Sequence, residues 1–240
     1  MALPTKLDPC PIYEALVEIR FQSNLFPDAI FGSIYNSLKK DFPTAKKLPI
    51  AQIPDEIRKT NPDLRYKPHY QLLGKDEFLI IQVGPDVLTI NNPHQYMGWS
   101  NFRPFINSVW QQVISTKVIS TIDQLAVRYI NFFHVNIFEN IKAKLILVND
   151  ELGKEETFLK SSIKNPPFFS NLHVTNKAIV TKQKSQTENG SVIDIETVCP
   201  GSEIKTPDSV PEQIEKARLI AKTLFFSLLD PDFLKTFNPE

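Results

Sequence analysis

The stretch VLTINNPHQYMGWSNFRPFINSVWQQV, residues 87–113, decides the fold of this chain. It begins with a short apolar run, continues through a polar and aromatic segment, and ends in an apolar stripe with helical spacing. The stripe consists of Phe102, Ile106, Val109, Trp110 and Val113. This spacing predicts a helix with one face on a core. The stretch as a whole therefore predicts a strand, a hinge and a long helix.

The residues upstream of this stretch predict a strand, a helix and an antiparallel meander. In residues 14–21, EALVEIRF, apolar and polar side chains alternate, which indicates a half-buried strand. Pro27 occupies a position typical of the first turn of a helix. Short apolar runs at 70–73, 78–83 and 87–90 are separated by glycine-containing turns, as in a meander.

The downstream half predicts a similar series of elements. Residues 124–132 alternate like residues 14–21, and Arg128 aligns with Arg20 at an offset of 108. A hairpin is predicted for residues 172–198, with its turn at Asn189-Gly190, because this dipeptide favours tight turns. Residues 210–229 have the apolar stripe of a long helix, which we expect to begin with a capping box of Ser209 and Glu212.

Four segments have weaker patterns. We expect residues 48–53 to form a strand with Pro49 at the sheet edge, and residues 54–68 to form a polar connection. A strand is one interpretation of residues 141–148. Residues 150–164 are charged and predict an irregular segment.

Together the elements predict an α+β fold in which long helices lie on one face of a curved antiparallel sheet. Each half, 1–118 and 119–240, is expected to contain a strand, a variable segment, further antiparallel strands and a long helix. This order indicates a duplication, with both halves packed as one continuous unit like the saddle of TATA-box-binding-protein-like folds. The alternative is a helix-grip fold, in which a single sheet wraps around the C-terminal helix and leaves an apolar cavity.

Composition narrows the classes of function. The 240 residues include 27 basic and 27 acidic side chains. Dedicated nucleic-acid binders usually have a basic surplus, so this balance does not favour that class. Cys10 and Cys199 are too few for a disulfide framework. The N-terminus does not resemble a signal peptide, and no apolar run is long enough for a membrane span, so we expect a cytoplasmic protein without membrane contact.

Signatures of known enzymes are missing from the sequence. Its seven glycines form no phosphate-binding loop, and there is no Gly-x-Ser-x-Gly, His-Glu-x-x-His or Cys-x-x-Cys motif. The four histidines are scattered. We therefore expect neither a cofactor nor a metal site, and we favour a non-catalytic protein.

The most distinctive polar group in the sequence consists of Glu14, Glu18 and Arg20. Residues two apart on a strand share a face, so these three side chains are predicted to lie together. They are candidates for ligand binding, as is Arg128 at the corresponding place in the second half. The competing interpretation, which we favour, is an ion pair that fixes strand register.

Two further groups are candidates for recognition. The first group lies in the hinge and consists of Asn92, Tyr96 and Trp99. Tyr96 and Trp99 could form an exposed platform for a partner. For Trp99 we favour the alternative, a cap that packs on the helix. A basic cluster between residues 39 and 67 is a candidate anion patch, although a solvated surface is the simpler interpretation. The cluster comprises Lys39, Lys40, Lys46, Lys47, Arg58, Lys59, Arg65 and Lys67.

Three segments, PIYEALVEIRF, VLTINNPHQYMGWSNF and FFSLLDPDFLKTF, resemble a sporadically distributed prokaryotic family without an established activity. The matching positions are Pro11, Ile12, Glu14, Ala15, Glu18, Arg20, Phe21, Asn91, Tyr96, Gly98 and Trp99. Cys10 departs from the pattern, since the family has a proline there. Patchy distribution of this kind is common among genes of mobile or defence islands, so the resemblance implies such a context.

Our leading hypothesis is a non-catalytic interaction protein, a partner or inhibitory component in a mobile or defence-type operon. One alternative is a nucleic-acid-binding module that uses the sheet face and the basic cluster at 39–67. Another is a small-ligand sensor, or an enzyme of unfamiliar type, in which Glu14, Glu18 and Arg20 face a cavity.

Overall fold

A computed structural model describes residues 3–74, 78–148, 150–181 and 187–240 of the chain. The strands are β1 (Ile12–Gln22), β2 (Thr44–Lys47), β3 (Tyr70–Leu73), β4 (Ile80–Val83), β5 (Val87–Pro93), β6 (Thr121–Phe133), β7 (Ile146–Leu147), β8 (Asp150–Glu151), β9 (Phe158–Asn165), β10 (Phe168–Thr181) and β11 (Thr187–Pro200). The α-helices are α1 (Pro27–Leu38), α2 (Asp55–Thr60), α3 (Pro62–Arg65), α4 (Trp99–Ser115), α5 (Val210–Leu228) and α6 (Pro231–Lys235).

Within these four ranges, nine strands form one antiparallel sheet in the order β2-β3-β4-β5-β1-β6-β11-β10-β9. The two long strands β1 and β6 pair at its centre, with Val17 opposite Val127. Because β1 belongs to the first half of the sequence and β6 to the second, the sheet runs through both. The strands β7 and β8 form a separate two-stranded ribbon.

The long helices α1, α4 and α5 pack on one face of the sheet, which we call the helix-covered face. Alternate residues of β1 point into this layer, and Val17, Ile19 and Phe21 are fully buried there. Trp110 of α4 is also fully buried, and its Nε1 donates a hydrogen bond to the Pro207 carbonyl oxygen at 2.9 Å. Apolar burial on this face is therefore the main stabilising contribution.

The structure confirms the α+β class, the antiparallel sheet and the placement of the long helices. It also confirms the strand at 14–21, the helix from Pro27, the three meander strands and the helix with the 102–113 stripe. The strand β5 extends through Asn91, Asn92 and Pro93, which the sequence placed in the hinge. The left-handed φ of +82° at Gly98 then turns the chain into α4.

The segment between α1 and β3 was predicted wrongly. Residues 48–53 form a 3-10 turn rather than a strand, because Pro49 occupies its first position and removes a strand hydrogen-bond donor. The strand at this edge is β2, whose four residues are all exposed and therefore have no buried face to mark them. The polar connection predicted at 54–68 contains α2 and α3.

The strand β9 and the turn of the second hairpin were also predicted wrongly. The segment at 150–164, expected to be irregular, contains most of β9, an edge strand paired with β10. Asn189-Gly190 lies within β11 rather than in a turn, opposite Ile179 and Ala178. A Cβ at Gly190 would lie 2.3 Å from the Phe133 carbonyl oxygen, so close approach of the neighbouring strand explains this glycine.

The start of α5 differs from the predicted capping box. Ser209 already has helical backbone angles after a 3-10 turn, and its hydroxyl donates to the Thr206 carbonyl oxygen at 2.7 Å. Glu212 instead pairs with Lys216 at 2.7 Å. The capping prediction is therefore wrong, although the helix itself is confirmed.

Four remaining predictions were tested in part or not at all. In the segment at 141–148, Ile141 forms an isolated bridge to Leu229, and only Ile146–Leu147 forms a strand. The predicted turn at 74–76 and the end of the strand at 172–184 fall in part outside the described residues. The boundary between residues 118 and 119 falls between α4 and β6 and stays a prediction.

Candidate functional site

The predicted site residues separate onto opposite faces of the sheet. Glu14, Glu18, Arg20 and Arg128 lie on the face away from the long helices, whereas Tyr96 and Trp99 lie on the helix-covered side. Strand register explains the first group, because Leu16 pairs with Arg128 across β1 and β6. Side chains at directly opposed positions point to the same face.

We call the first surface the open face and define it by side chains of three adjacent strands, β1, β6 and β11. Its members are Glu14, Leu16, Glu18, Arg20, Ala126, Arg128, Ile130, Asp194 and Glu196. Leu16 and Ile130 are only half-buried although they lie near the middle of the sheet. The open face therefore combines apolar and charged groups.

Arg20 is held in place by two neighbours at one end of the open face. Its Nε donates to Glu18 Oε1 at 2.7 Å, and its guanidinium carbon lies 4.5 Å from the centre of the Tyr66 ring. Both charged side chains are largely shielded from solvent. The ion pair predicted from the spacing of these residues is therefore present, and the aromatic ring adds a cation–π contact.

Arg128 makes the strongest polar contact on the open face. Its Nε and Nη2 donate to the two oxygens of Asp194 at 2.8 and 2.6 Å. This bidentate hydrogen bond raises the pKa of Arg128, although burial opposes the rise. Asp194 is 7% exposed, and His173 Nδ1 lies 3.6 Å from its second oxygen. The pair therefore cross-links β6 and β11 and orients the guanidinium group.

Glu14 lies beside this pair. Burial raises the pKa of the Glu14 carboxyl, the positive charge of Arg128 lowers it, and the negative charge of Asp194 adds to the rise. The carboxylate is therefore less stable as an anion than an exposed one. Near this end of the open face, the Tyr13 hydroxyl donates to the Thr181 carbonyl oxygen at 2.7 Å, which links β1 to the end of β10.

Sequence reasoning missed Asp194, Glu196 and His173. Glu196 accepts a hydrogen bond from Asn171 Nδ2 at 2.9 Å, so it joins β11 to β10. The alternation in residues 191–198 places Asp194 and Glu196 on one side of a strand, which was a usable signal. The partner of Asp194, Arg128, is 66 residues away, and only the register of β6 with β11 identifies it.

On the helix-covered side, Asn92 holds the hinge together. It is 1% exposed, its Nδ2 donates to the carbonyl oxygens of Phe78 and Gln95, and its Oδ1 accepts from the Met97 backbone at 2.9 Å. These three hydrogen bonds all join its side chain to backbone groups of the hinge and of the segment that precedes β4. Asn92 therefore positions the hinge rather than presenting a free group to a ligand.

Trp99 connects the first turn of α4 to α5. Its Nε1 donates to Glu215 Oε2 at 2.9 Å, and the Arg218 guanidinium carbon lies 4.6 Å from the centre of its ring. Arg218 also donates to Glu215 Oε1 at 2.9 Å. The ring lies edge-on to Phe102 with centroids 6.4 Å apart, so it packs on its own helix as predicted for a cap.

Tyr96 and Tyr129 form a second aromatic pair next to Trp99. Their rings are perpendicular with centroids 6.0 Å apart. Burial raises the pKa of Tyr96 far above its ordinary value and raises that of Tyr129 to about 12. Both phenols are therefore neutral at physiological pH. The positive charge of Arg218 opposes the rise in the pKa of Tyr129.

These residues border a cavity of about 700 Å³, which we call the cleft. It lies between the hinge, α5 and the N-terminal segment that precedes β1. Its walls include Tyr96, Trp99, Tyr129, Arg218, Lys222 and Phe225. The cleft and the open face are separated by the thickness of the sheet.

The basic cluster predicted at 39–67 is not one surface. Arg58 is buried, donates to the Ile53 carbonyl oxygen at 2.9 Å, and contacts Asp55 and His69. Burial, followed by the charge of Arg58, lowers the pKa of His69 to about 4. Seven members of the cluster are exposed: Lys39, Lys40, Lys46, Lys47, Lys59, Arg65 and Lys67. Lys46 and Lys47 point to opposite faces of β2.

A search of the four described ranges finds no group of three or more metal-ligating side chains. Among their helices, none is both long and apolar enough to cross a membrane. No protein-family model and no curated protein matches the chain, so its family membership stays a prediction from the resemblance.

Proposed function

We propose that this protein is a non-catalytic binding protein that docks a polypeptide partner on the open face. The observation that supports this most is the pair Leu16 and Ile130, half-buried apolar side chains near the middle of a nine-stranded sheet. Ion pairs flank them on both sides. Protein interfaces typically have this plan, an apolar centre within a polar rim.

The charge of the open face favours a basic partner. Its defined residues include four carboxylates, on Glu14, Glu18, Asp194 and Glu196, against two guanidinium groups. This excess of negative charge attracts lysine and arginine side chains. It is unfavourable for a phosphate backbone and for the same face of a second copy. We therefore propose a partner segment that combines apolar and basic residues.

The two arginines of the open face are held in fixed positions, which favours binding. Arg20 is fixed by Glu18 and Tyr66, and Arg128 by Asp194. Because these side chains are already ordered, a partner would not have to immobilise them on docking. The resemblance described above adds the proposal that the partner is encoded in the same mobile or defence-type operon.

We also infer a structural duplication of the saddle type from equal spacing in the two halves. Four buried residues of α4, namely Phe102, Ile106, Val109 and Val113, have buried counterparts 108 residues later in α5. Those counterparts are Val210, Ile214, Ala217 and Ala221. The same offset relates Ile19 of β1 to Val127 of β6. In a duplicated fold the two halves would meet where β1 pairs with β6. The open face lies on these two strands and would therefore lie at the centre of the sheet.

Affinity purification from the native host with two matched variants tests the proposal. Leu16→Lys adds a cation to the open face, whereas Leu219→Lys makes the same change at a 53% exposed position of α5. We expect a protein retained by the wild type and by Leu219→Lys, and reduced at least about tenfold by Leu16→Lys. Thermal unfolding of each variant verifies that it is folded.

Two outcomes would contradict the proposal. One is a partner retained equally by all three proteins, which would place its binding elsewhere. The other is co-purification of nucleic acid instead of a protein. If added salt releases this nucleic acid from the wild type, and Leu16→Lys binds it equally well or more tightly, the result would favour a nucleic-acid-binding role for the basic cluster at 39–67.

A further inference from the structure

The cleft has the size and lining of a small-molecule site. Its volume of about 700 Å³ lies within the range usual for such sites, roughly 300–1,000 Å³. Phe225 and Trp99 supply aromatic surface, and Ile195 adds an aliphatic wall. The phenol groups of Tyr96 and Tyr129 border the same space and provide hydroxyls for orientation. Apolar walls with a few convergent polar groups are the usual design of a binding pocket.

The charged groups around the cleft leave a positive excess. Arg218 is paired with Glu215, and Lys6 lies 3.9 Å from Glu240. Lys222 lies one helical turn after Arg218 and also lines the cleft. It makes no salt bridge with any residue that the structure describes. Burial, followed by the charge of Arg218, lowers the pKa of Lys222, and the charge of Glu215 opposes this shift. A further anion beside Lys222 would stabilise its charged form.

We infer that the cleft binds a small organic anion with a flat aromatic body. The carboxylate or equivalent anionic group would lie against Lys222 and Arg218, and the ring against Trp99 and Phe225. Arg218 is already oriented by Glu215 and the Trp99 ring, which reduces the entropy lost on binding. This site lies on the opposite side of the sheet from the open face, so it does not depend on the proposed partner.

Calorimetric titration of the purified protein with matched probes tests the inference. The probes are 2-naphthoate, indole-3-carboxylate and the neutral amide of each. We expect at least one acid to bind saturably with one site, and its amide to bind at least about tenfold more weakly because it lacks the charge. Quenching of tryptophan fluorescence by the acid would indicate contact near Trp99.

Two variants of α5 locate the charge that matters. Lys222→Met removes the ammonium group but keeps an apolar chain, and we expect it to weaken binding of the acid at least about tenfold. Lys216→Met is the control, since Lys216 pairs with Glu212 on the solvent-exposed side of the same helix. Binding to the control should match the wild type.

Three results would overturn the inference. These are the absence of saturable binding by either acid up to about 1 mM, equal affinity for acid and amide, and equal loss in Lys222→Met and Lys216→Met. Each leaves the partner proposal untouched, because that proposal is tested at Leu16 on the other face.

Discussion

The two faces of β1 differ sharply in burial and charge. Ile19 points into the layer of long helices and is fully buried. Leu16, three residues earlier, lies on the open face among Glu14, Glu18 and Arg128 and stays half-buried. A single strand therefore contributes to the core with one set of side chains and to a charged surface with the other.

This difference separates stability from binding. The helix-covered face buries large apolar side chains, so changes there alter folding first. The open face is ordered by ion pairs that cross-link strands, so changes there alter surface chemistry at a smaller cost in stability. The cleft differs from the open face in this respect, because it shares Phe225 and Ile195 with the core.

The largest effect is expected for paired alanine substitutions on opposite sides of β1. Ile19→Ala should lower the free energy of unfolding by about 2–5 kcal/mol, because it leaves a cavity in the packed core. Leu16→Ala should cost less, about 1 kcal/mol, since this side chain is only half-buried and solvent can fill the space it leaves. Urea denaturation of both variants measures the difference. Equal losses would mean that the open face is part of the core.

A smaller effect is expected from the Arg128–Asp194 pair. Asp194→Ala leaves the guanidinium without its two acceptors and should cost about 1–3 kcal/mol. The double variant Arg128→Met/Asp194→Leu should recover part of this loss, because it removes both charges together. A double-mutant cycle in urea quantifies the coupling. Asp194→Ala without any cost would show that the pair does not stabilise the sheet.

The smallest effect is expected from the titration of Glu14. Its pKa is raised above the ordinary value of 4.5, so the folded protein binds this proton more tightly than the unfolded chain. The resulting stabilisation is complete below pH 4.5 and is lost as the pH rises through the folded-state pKa. The stability of the wild type relative to Glu14→Gln should therefore fall as the pH rises from 4.5.

Denaturation of both proteins at several pH values provides this difference. A relative stability that rises with pH would mean that the attraction of Arg128 outweighs burial and that the pKa of Glu14 is lowered. Glu14→Gln is a suitable control, because it keeps the shape of the side chain and removes only its ability to ionise.

Local patterns predicted the elements that have one buried face. The alternation around Ile19 and the stripe through Trp110 arise from burial on one side, which the sequence records directly. The strand β9 was missed because, as an edge strand, it has exposed polar and charged residues such as Lys160 on most of its length. Gly190 was misread because close approach of a neighbouring strand, not a turn, requires it.

The candidate site was predictable only in part for the same reason. Glu18 and Arg20 are two residues apart, so strand geometry alone placed them together. Arg128 and Asp194 meet through register, and Trp99 and Arg218 meet through the packing of α4 against α5. Such contacts depend on tertiary structure, which a single sequence does not encode in any local pattern.

The most direct test of the account is carboxylate footprinting of the protein alone and in complex with its co-purified partner. Carbodiimide labelling followed by mass spectrometry should show protection of Glu18 and Glu196 on the open face, with Glu212 of α5 labelled equally in both states. Protection of Glu212, with Glu18 and Glu196 unchanged, would contradict the claim that the partner docks on the open face.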